Sequence, residues 1–263
     1  DFGNRISAEI RLPQALQAGL LTPFQYLCVT DDTDLSDDSL WSGQKYNIDR
    51  LADKLCDKKR ARLIVDALHK YLAEEYTCRA LCFCVNKRHA DFMAEQLRLY
   101  GFNAQSLTSD TPADERKQLA RDLRDNTLHY LCVVDIFNEG VDIPEVDTVL
   151  FLRPTESLTI FLQQLGRGLR LSAGKTELTV LDFVAQANRK YDFASRFRAL
   201  TLQPEKNIQK QIKEGFSLLP LGCSIVMEKK ARQYILDNIS SAIYNKTRIV
   251  KEINSYASIP TLA

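Results

Sequence analysis

Residues 79–101 read RALCFCVNKRHADFMAEQLRLYG and contain the unit that decides the fold. The uninterrupted apolar run from Leu81 to Val85 predicts a strand that is buried on both faces. Asn86 predicts the start of a helix, because its side chain can accept a hydrogen bond from the first helical turn, and Gly101 predicts the end of that helix. The stretch is therefore a buried strand that leads directly into an amphipathic helix.

The alternation of strands and helices continues towards the C-terminus. Short apolar strands are predicted at residues 104–108, 129–134, 148–152 and 177–184, and helices at residues 111–124, 157–169 and 186–200. Strands that alternate with helices of ten to fifteen residues predict right-handed crossovers and a parallel sheet with helices on both faces. Residues 75–200 are therefore predicted to form one doubly wound α/β domain.

The segments on either side differ from each other in charge. Residues 1–50 carry eight acids and four bases, whereas residues 201–263 carry nine Lys or Arg and five acids. We interpret residues 1–74 as a connecting segment, with a short helix at 12–19, a strand at 24–30, a solvated acidic loop at 31–38 and one long or broken helix at 49–75. Residues 201–263 are predicted to be a mostly helical extension, with helices at 205–214, 227–239 and 241–256. Its positive charge fits either a nucleic-acid-binding face or a solvated surface.

The overall composition excludes several classes of protein. The chain has 263 residues, 45% of them apolar, and its 35 Lys and Arg nearly balance its 34 Asp and Glu to give a net charge of +1. Any contact with nucleic acid must therefore come from a local patch rather than from the overall field. No apolar run approaches the roughly 18 residues that cross a bilayer, and the first residues do not resemble a signal peptide. We expect no membrane partner.

The seven cysteines, an odd number, do not suggest a disulfide framework. Cys82 and Cys84 would face the same side of a strand, with Cys78 nearby. A metal site would need a second pair at ligand spacing, which the sequence lacks. We therefore expect buried structural thiols, no metal site and a cytoplasmic location.

Two segments carry residues suited to phosphate chemistry. Residues 135–144 (DIFNEGVDIP) follow a predicted buried strand. In this segment Gly140 would let the backbone approach a phosphate or a ribose, and Asp142 could accept hydrogen bonds from sugar hydroxyls. A tight turn would explain the glycine and proline equally well.

The second segment, residues 163–170 (QQLGRGLR), places Arg167 and Arg170 on one side of a predicted helix. Two guanidinium groups there could stabilise the charge of a transferring phosphoryl group. The alternative is a solvated basic turn, but two glycines beside Arg167 are poor helix formers and favour a functional reason. Since ligands of such sheets meet the carboxyl ends of the strands, both segments are expected at that edge.

Together these segments resemble motifs V and VI of superfamily 2 helicases, the DEAD/DEAH-type nucleic-acid motors. The match follows the family order, and its wording is closest to the restriction-enzyme-like branch. Motif IV is similar to residues 80–86, the helix start after motif IVa to 110–116, motif V to 139–144, motif VI to 163–170, and the last strand to 181–184. The resemblance implies a RecA-like helicase C-terminal domain.

The resemblance also implies a role for individual residues. Arg170 would be the arginine finger, Arg167 a second phosphate-facing arginine, and Gln163 a residue that positions the γ-phosphate. Gly140 and Asp142 would contact the nucleotide. The nucleic-acid backbone would be gripped, without reading of its sequence, by Asn86, Lys87, Thr108 and Ser109. Val134 stands where many relatives have a phosphate-contacting threonine, so that contact is weakened here.

An ATP motor also needs a P-loop and an acidic pair that holds magnesium. Gly174-Lys175-Thr176 has Leu169 where a P-loop needs glycine, and no suitable acidic pair is found. We therefore interpret the chain as the second motor domain of an ATP-dependent helicase or translocase, with DNA favoured as the nucleic acid.

In this interpretation, ATP with Mg would be bound by a missing N-terminal RecA-like domain of the same protein, and the isolated chain would not hydrolyse ATP. The alternative is a non-enzymatic, degenerate helicase domain that acts as a nucleic-acid clamp or scaffold. The paired arginines of motif VI favour the motor, because a scaffold has no use for them.

Overall fold

The computed structural model describes residues 10–134 and 143–257, with side chains described up to residue 243. The helices are α1 (Leu12–Gln17), α2 (Ile48–Leu55), α3 (Lys58–Tyr71), α4 (Lys87–Leu99), α5 (Ala113–Arg124), α6 (Leu158–Gly168), α7 (Phe193–Leu200), α8 (Ile208–Glu214) and α9 (Lys229–Ala257). The strands are β1 (Phe24–Leu35), β2 (Trp41–Ser42), β3 (Lys45–Tyr46), β4 (Ala80–Phe83), β5 (Ala104–Leu107), β6 (Tyr130–Val133), β7 (Thr148–Phe151), β8 (Leu178–Ala187) and β9 (Ser224–Met227).

Seven strands form one parallel sheet in the order β5-β6-β4-β7-β8-β1-β9, while β2 and β3 pair separately. One face of the sheet packs against α3 and α4. The other face packs against α5, α6, α7 and α9. The predicted α/β fold with a parallel sheet, followed by helices, is confirmed.

Of the helix ends predicted from local sequence, both ends of α4 are confirmed and the start of α5 is not. Asn86 caps α4 by accepting a hydrogen bond from His89 N at 3.0 Å, and Gly101 follows the helix with φ of +87°. The predicted cap at Thr111 is wrong: its hydroxyl accepts a hydrogen bond from Thr108 N at 3.0 Å, and α5 begins after Pro112 without a side-chain cap.

The acidic loop predicted at residues 31–38 is wrong over its first half, because β1 continues to Leu35. Asp31 is buried, and its carboxylate accepts hydrogen bonds from Arg60 Nε at 2.7 Å and from Thr33 Oγ1 at 2.6 Å. Burial would raise the pKa of Asp31, but Arg60 and Thr33 lower it below its usual value. The first acidic residues of this run can therefore belong to the sheet, because the buried carboxylate of Asp31 pairs with the buried guanidinium of Arg60.

The C-terminal third differs from its prediction in two places. β8 runs to Ala187, so that residues 186–187 are strand, and the helix predicted from residue 186 begins only at Phe193. The four residues of β9 were not predicted as a strand; they pair in parallel with β1. The predicted boundaries at residues 74 and 200 stay predictions, although strands from all three predicted segments lie in this one sheet.

Candidate nucleotide and nucleic-acid sites

The end of helix α6 is fitted closely against the sheet. A Cβ atom at Gly168 would lie 2.5 Å from Leu178 Cδ1 and 3.1 Å from Val149 Cγ2, so any larger residue would force the Leu178 side chain to move. At Gly166, in contrast, a Cβ atom would meet nothing within 4 Å. One glycine of the QQLGRGLR segment therefore has a packing reason, and the other faces open space.

The backbone that carries Arg170 is anchored from two directions. Its carbonyl oxygen accepts hydrogen bonds from Thr22 Oγ1 at 3.0 Å and from Lys175 Nζ at 2.7 Å. The preceding carbonyl, of Leu169, accepts a hydrogen bond from Thr22 N at 2.8 Å. Arg167 in the last turn of α6 and Arg170 just beyond it are both half-buried, and Gln163 is exposed. The two arginines therefore extend from a fixed piece of backbone.

The edge of the sheet predicted for motif VI is wrong. Gly168 packs against the first residue of β8 and the second of β7, and Thr22 lies just before β1. The end of α6 that bears Arg167 and Arg170 is therefore at the amino edge of the strands. The cause is the parallel crossover: α6 begins at the carboxyl edge, after β7, and runs back along the sheet.

A buried charged network lies under α6. Arg196 on α7 pairs with Asp182 on β8 at 3.2 Å, and the Tyr26 hydroxyl donates a hydrogen bond to Asp182 at 2.7 Å. The Arg196 guanidinium also lies 4.3 Å from the ring centroid of Phe161 on α6. Although burial disfavours the charged guanidinium, Asp182 and Tyr191 raise the pKa of Arg196 above its usual value. The Arg196 guanidinium therefore stays charged, and the network supports α6 from below.

A second buried contact positions α6 near its middle. Gln164 is fully buried, and its Oε1 accepts a hydrogen bond from Thr155 Oγ1 at 3.4 Å. Sequence reasoning assigned no role to Gln164, Asp182, Arg196 or Thr22, and it considered Lys175 only as a P-loop lysine. Asp182 and Arg196 could have been noticed as ionisable residues inside an apolar strand and helix, whereas nothing marks Gln164 or Thr22, because their partners are remote in the chain.

The nucleic-acid candidates lie at the opposite, carboxyl edge of the sheet. Asn86 and Lys87 follow β4, and Thr108 and Ser109 follow β5. Lys87 forms an ion pair with Asp110, which joins the two loops across the end of β6. Ser109 and Lys87 are exposed, whereas Thr108 is buried and Asn86 uses its amide oxygen as the cap of α4. The structure therefore brings these four residues to one edge, but not to the arginines of motif VI.

Further cations lie at the same carboxyl edge. Arg153 follows β7, and its buried Nε has no hydrogen-bond partner among the described residues. Nearby His89 is buried, and burial, Arg60 and Arg153 hold its pKa well below the usual value. The imidazole of His89 is therefore neutral and adds no positive charge to this edge.

Gly140 and Asp142, the motif V candidates, lie outside the described residues. The described residues of this region are suited to binding the phosphates of ATP rather than its metal ion. Arg167 and Arg170 are cationic, and Arg167 directly follows Gly166, which faces open space, whereas no group of His, Cys, Asp and Glu in residues 10–134 and 143–243 could hold a metal ion. Lys175 is no P-loop lysine, because its ammonium group donates to the carbonyl oxygens of Pro144 and Arg170.

All seven cysteines, which lie in the described ranges, are free, and five are buried, as predicted.

No helix in the described part of the chain is long and apolar enough to span a membrane.

Residues 44–172 match the helicase conserved C-terminal domain family. Over 121 residues the chain is 33% identical to the putative ATP-dependent helicase IRC3 of Saccharomyces cerevisiae. The aligned residues are 46% of this chain and 17% of the relative. Over 168 residues it is 27% identical to the type I restriction enzyme EcoKI endonuclease subunit of Escherichia coli, which covers 58% of this chain and 14% of the relative. The chain thus spans less than a fifth of these two relatives.

Solved structures agree at the level of the fold. A fragment of a putative HsdR subunit of a type I restriction enzyme from Vibrio vulnificus aligns with a TM-score of 0.54 and 20% identity, over 86% of this chain and 40% of that chain. The yeast DEAD-box splicing factor Prp28 aligns with a TM-score of 0.52 and 16% identity, over 81% of this chain and 37% of that chain. Residues 44–172 are therefore similar in sequence to the helicase conserved C-terminal domain, and the fold of the chain agrees with that similarity.

Proposed function

We propose that this chain is the second motor domain of an ATP-dependent helicase or translocase that acts on DNA. In this proposal an N-terminal RecA-like domain of the same protein binds ATP with Mg²⁺. Arg167 and Arg170 complete the phosphate site when the two domains close, and hydrolysis lets them separate. The cycle would move the two domains along a nucleic-acid strand.

The observation that carries the proposal is the anchored end of α6. Two half-buried arginines extend from a backbone that Thr22 and Lys175 fix, beside a glycine with open space at its Cβ position. Rigid donors of this kind stabilise phosphoryl-transfer charge without reorganising during the reaction. Open space at Gly166 leaves room for the face of a second domain to approach.

The nucleic acid would lie at the opposite edge. Lys87 and Ser109 are exposed there, and Arg153 follows β7, the strand next to β4. Contacts from such residues would be made to phosphates and would not depend on base sequence. DNA is favoured because relatives include a type I restriction enzyme endonuclease subunit, and because the fold is similar to that of a Type ISP restriction-modification enzyme bound to DNA, at a TM-score of 0.52 and 16% identity over 91% of this chain and 18% of that chain.

The test is an ATPase measurement on the chain joined to the proposed N-terminal domain. We expect Arg170→Ala to lower DNA-stimulated turnover by about 10³-fold or more, because arginine fingers contribute that much, with DNA affinity retained. Arg198→Ala, a substitution of an exposed arginine on α7, is the matched control and should leave turnover unchanged.

Unchanged turnover in Arg170→Ala would contradict the motor and favour the second candidate, a non-enzymatic clamp or scaffold. The chain by itself should show no magnesium-dependent ATP hydrolysis above background, because the described residues supply arginines but no group of three or more His, Cys, Asp and Glu that could hold a metal ion. Robust turnover by the pure chain would contradict the division of labour between two domains.

A further inference from the structure

The Gly174-Lys175-Thr176 run has a clear role in the structure that is not phosphate binding. Lys175 lies in the turn between α6 and β8, where its backbone N donates to Ser172 O at 3.2 Å. Its side chain is half-buried and reaches back under the turn. The ammonium group therefore serves a contact within the domain.

That contact joins the described ends of two motifs. Lys175 Nζ donates to Pro144 O at 2.9 Å and to Arg170 O at 2.7 Å. Pro144 is the last residue of the segment that resembles motif V, and Arg170 is the last residue of motif VI. A single cation thus links two segments that are otherwise 26 residues apart in the sequence.

The surroundings favour a link of this kind over a surface ion pair. Asp147 and Glu145 are the acidic groups whose charges act on Lys175, and neither forms a hydrogen bond with it. Asp147 instead accepts hydrogen bonds from Arg79 N at 3.0 Å and from Thr148 Oγ1 at 2.8 Å, and Glu145 lies 3.5 Å from Arg124. The ammonium group is left to the two carbonyl oxygens, and charge-assisted hydrogen bonds are among the stronger ones in proteins.

Thr22 provides the third point of attachment, since its hydroxyl donates to the same Arg170 carbonyl oxygen. Both lone pairs of that oxygen are therefore used, which fixes the direction in which the Arg170 side chain leaves the backbone. Displacing a catalytic group by about 1 Å can lower turnover about 100-fold. A contact that holds Arg170 in place is therefore relevant to catalysis even though it touches no substrate.

We propose that Lys175 is a positioning residue of the nucleotide site, which holds the end of motif VI against the end of motif V and so sets the placement of Arg170. This inference rests on the proposed function. It goes beyond it in assigning a role to a residue outside both motifs.

The first test uses the chain itself. Lys175→Met keeps the aliphatic stem and removes the donors, and Lys206→Met, at an exposed loop position, is the matched control. We expect Lys175→Met alone to speed hydrogen exchange about tenfold or more at Thr22 N and Val146 N, whose acceptors are Leu169 O and Ile143 O. Exchange in β4 and β6 should stay unchanged, which excludes general unfolding. Unchanged exchange at Thr22 and Val146 would overturn the inference.

The second test measures ATPase activity of the chain joined to the proposed N-terminal domain. Lys175→Met should lower kcat about 10- to 100-fold and change the KM for ATP less than about threefold, because it misplaces a transition-state contact. An active wild-type protein with an unchanged kcat in Lys175→Met would overturn this inference alone. A wild-type protein without ATPase activity would overturn the proposed function as well, and Arg170→Ala measured alongside distinguishes the two failures.

Discussion

At the scale of single residues, two glycines of one helix have opposite surroundings. Gly168→Ala would put a methyl group 2.5 Å from Cδ1 of Leu178, a fully buried residue. Overpacking of this kind costs about 1–3 kcal/mol, more than the ~1 kcal/mol by which alanine favours a helix. We expect Gly168→Ala to lower the free energy of unfolding, measured by urea titration.

Gly166→Ala is the control for that substitution, because its Cβ would meet nothing within 4 Å. We expect it to raise the free energy of unfolding by up to ~1 kcal/mol. If a second domain closes on this position, the same variant should also lose ATPase activity in the two-domain protein. Equal destabilisation by both substitutions would contradict the packing described for α6.

Residue roles were predictable from the sequence where the partner is local. Asn86 was predicted to cap α4 because a cap bonds its own helix within three residues. Asp31 was predicted to be solvated, and its partner Arg60 could not be foreseen, since the pairing depends on α3 packing over β1. Arg167 and Arg170 were found as a pair, but their edge of the sheet depends on the path of a whole helix.

At the scale of elements, the Asp182–Arg196 pair joins β8, α7 and α6. Arg196→Met would leave the Asp182 carboxylate buried with only the Tyr26 hydroxyl as a described partner. Removing one member of a buried pair costs about 3–5 kcal/mol, because the remaining charge stays desolvated. We expect a loss of that size in the free energy of unfolding, measured by chemical denaturation.

The double variant Arg196→Met with Asp182→Leu separates charge from packing. It should recover part of the lost stability, since no charge then remains buried in the network. A double variant that is no more stable than Arg196→Met would show that aromatic packing around Phe161, and not the charge pair, is what supports α6.

Helices and strands were predicted correctly where the apolar residues of the segment show a clear period. The prediction failed where a strand forms only by pairing with a segment far away in the sequence. The β4–α4 unit was predicted because its apolar run and cap are contiguous. β9 was missed because four residues carry little periodicity, and they become a strand only through pairing with β1, about two hundred residues earlier. The last residues of β8 were taken for a helix for the same reason, since β1 extends beside them.

At the scale of the whole molecule, Glu228 joins the beginning and the end of the chain. Its carboxylate accepts hydrogen bonds from Thr30 N on β1 at 2.8 Å and from Lys70 Nζ and Tyr71 Oη on α3 at 2.7 and 2.5 Å, just before α9 begins. Burial would raise the pKa of Glu228, but these hydrogen bonds outweigh it and lower the pKa to about 2. The ionised form is therefore the one that holds β1, α3 and α9 together.

This pKa predicts how stability changes with pH. Because the folded pKa is below the unfolded value of 4.5, the stabilisation is complete above about pH 4.5 and is lost as the pH falls towards 2. We expect Glu228→Gln to lower the free energy of unfolding by about 1.5–3 kcal/mol at pH 7, with the difference from wild type shrinking below pH 4.5. Glu214→Gln, in an exposed pair on α8, is the control and should change it by less than about 0.5 kcal/mol. A difference that is constant from pH 7 to pH 3 would contradict this role of the carboxylate.

The crossover helix α6 gives the domain a mechanical property. It starts at the edge of the sheet where Lys87 and Ser109 lie and has Arg167 in its last turn, so its 11 residues form a rod about 16 Å long between the two candidate sites. A stiff rod braced along its length by Gln164 and Arg196 moves as one piece, so a tilt at one end becomes a displacement at the other. In the proposed motor, a force on the bound nucleic-acid strand would therefore also change the position of the Arg167 guanidinium relative to the phosphate.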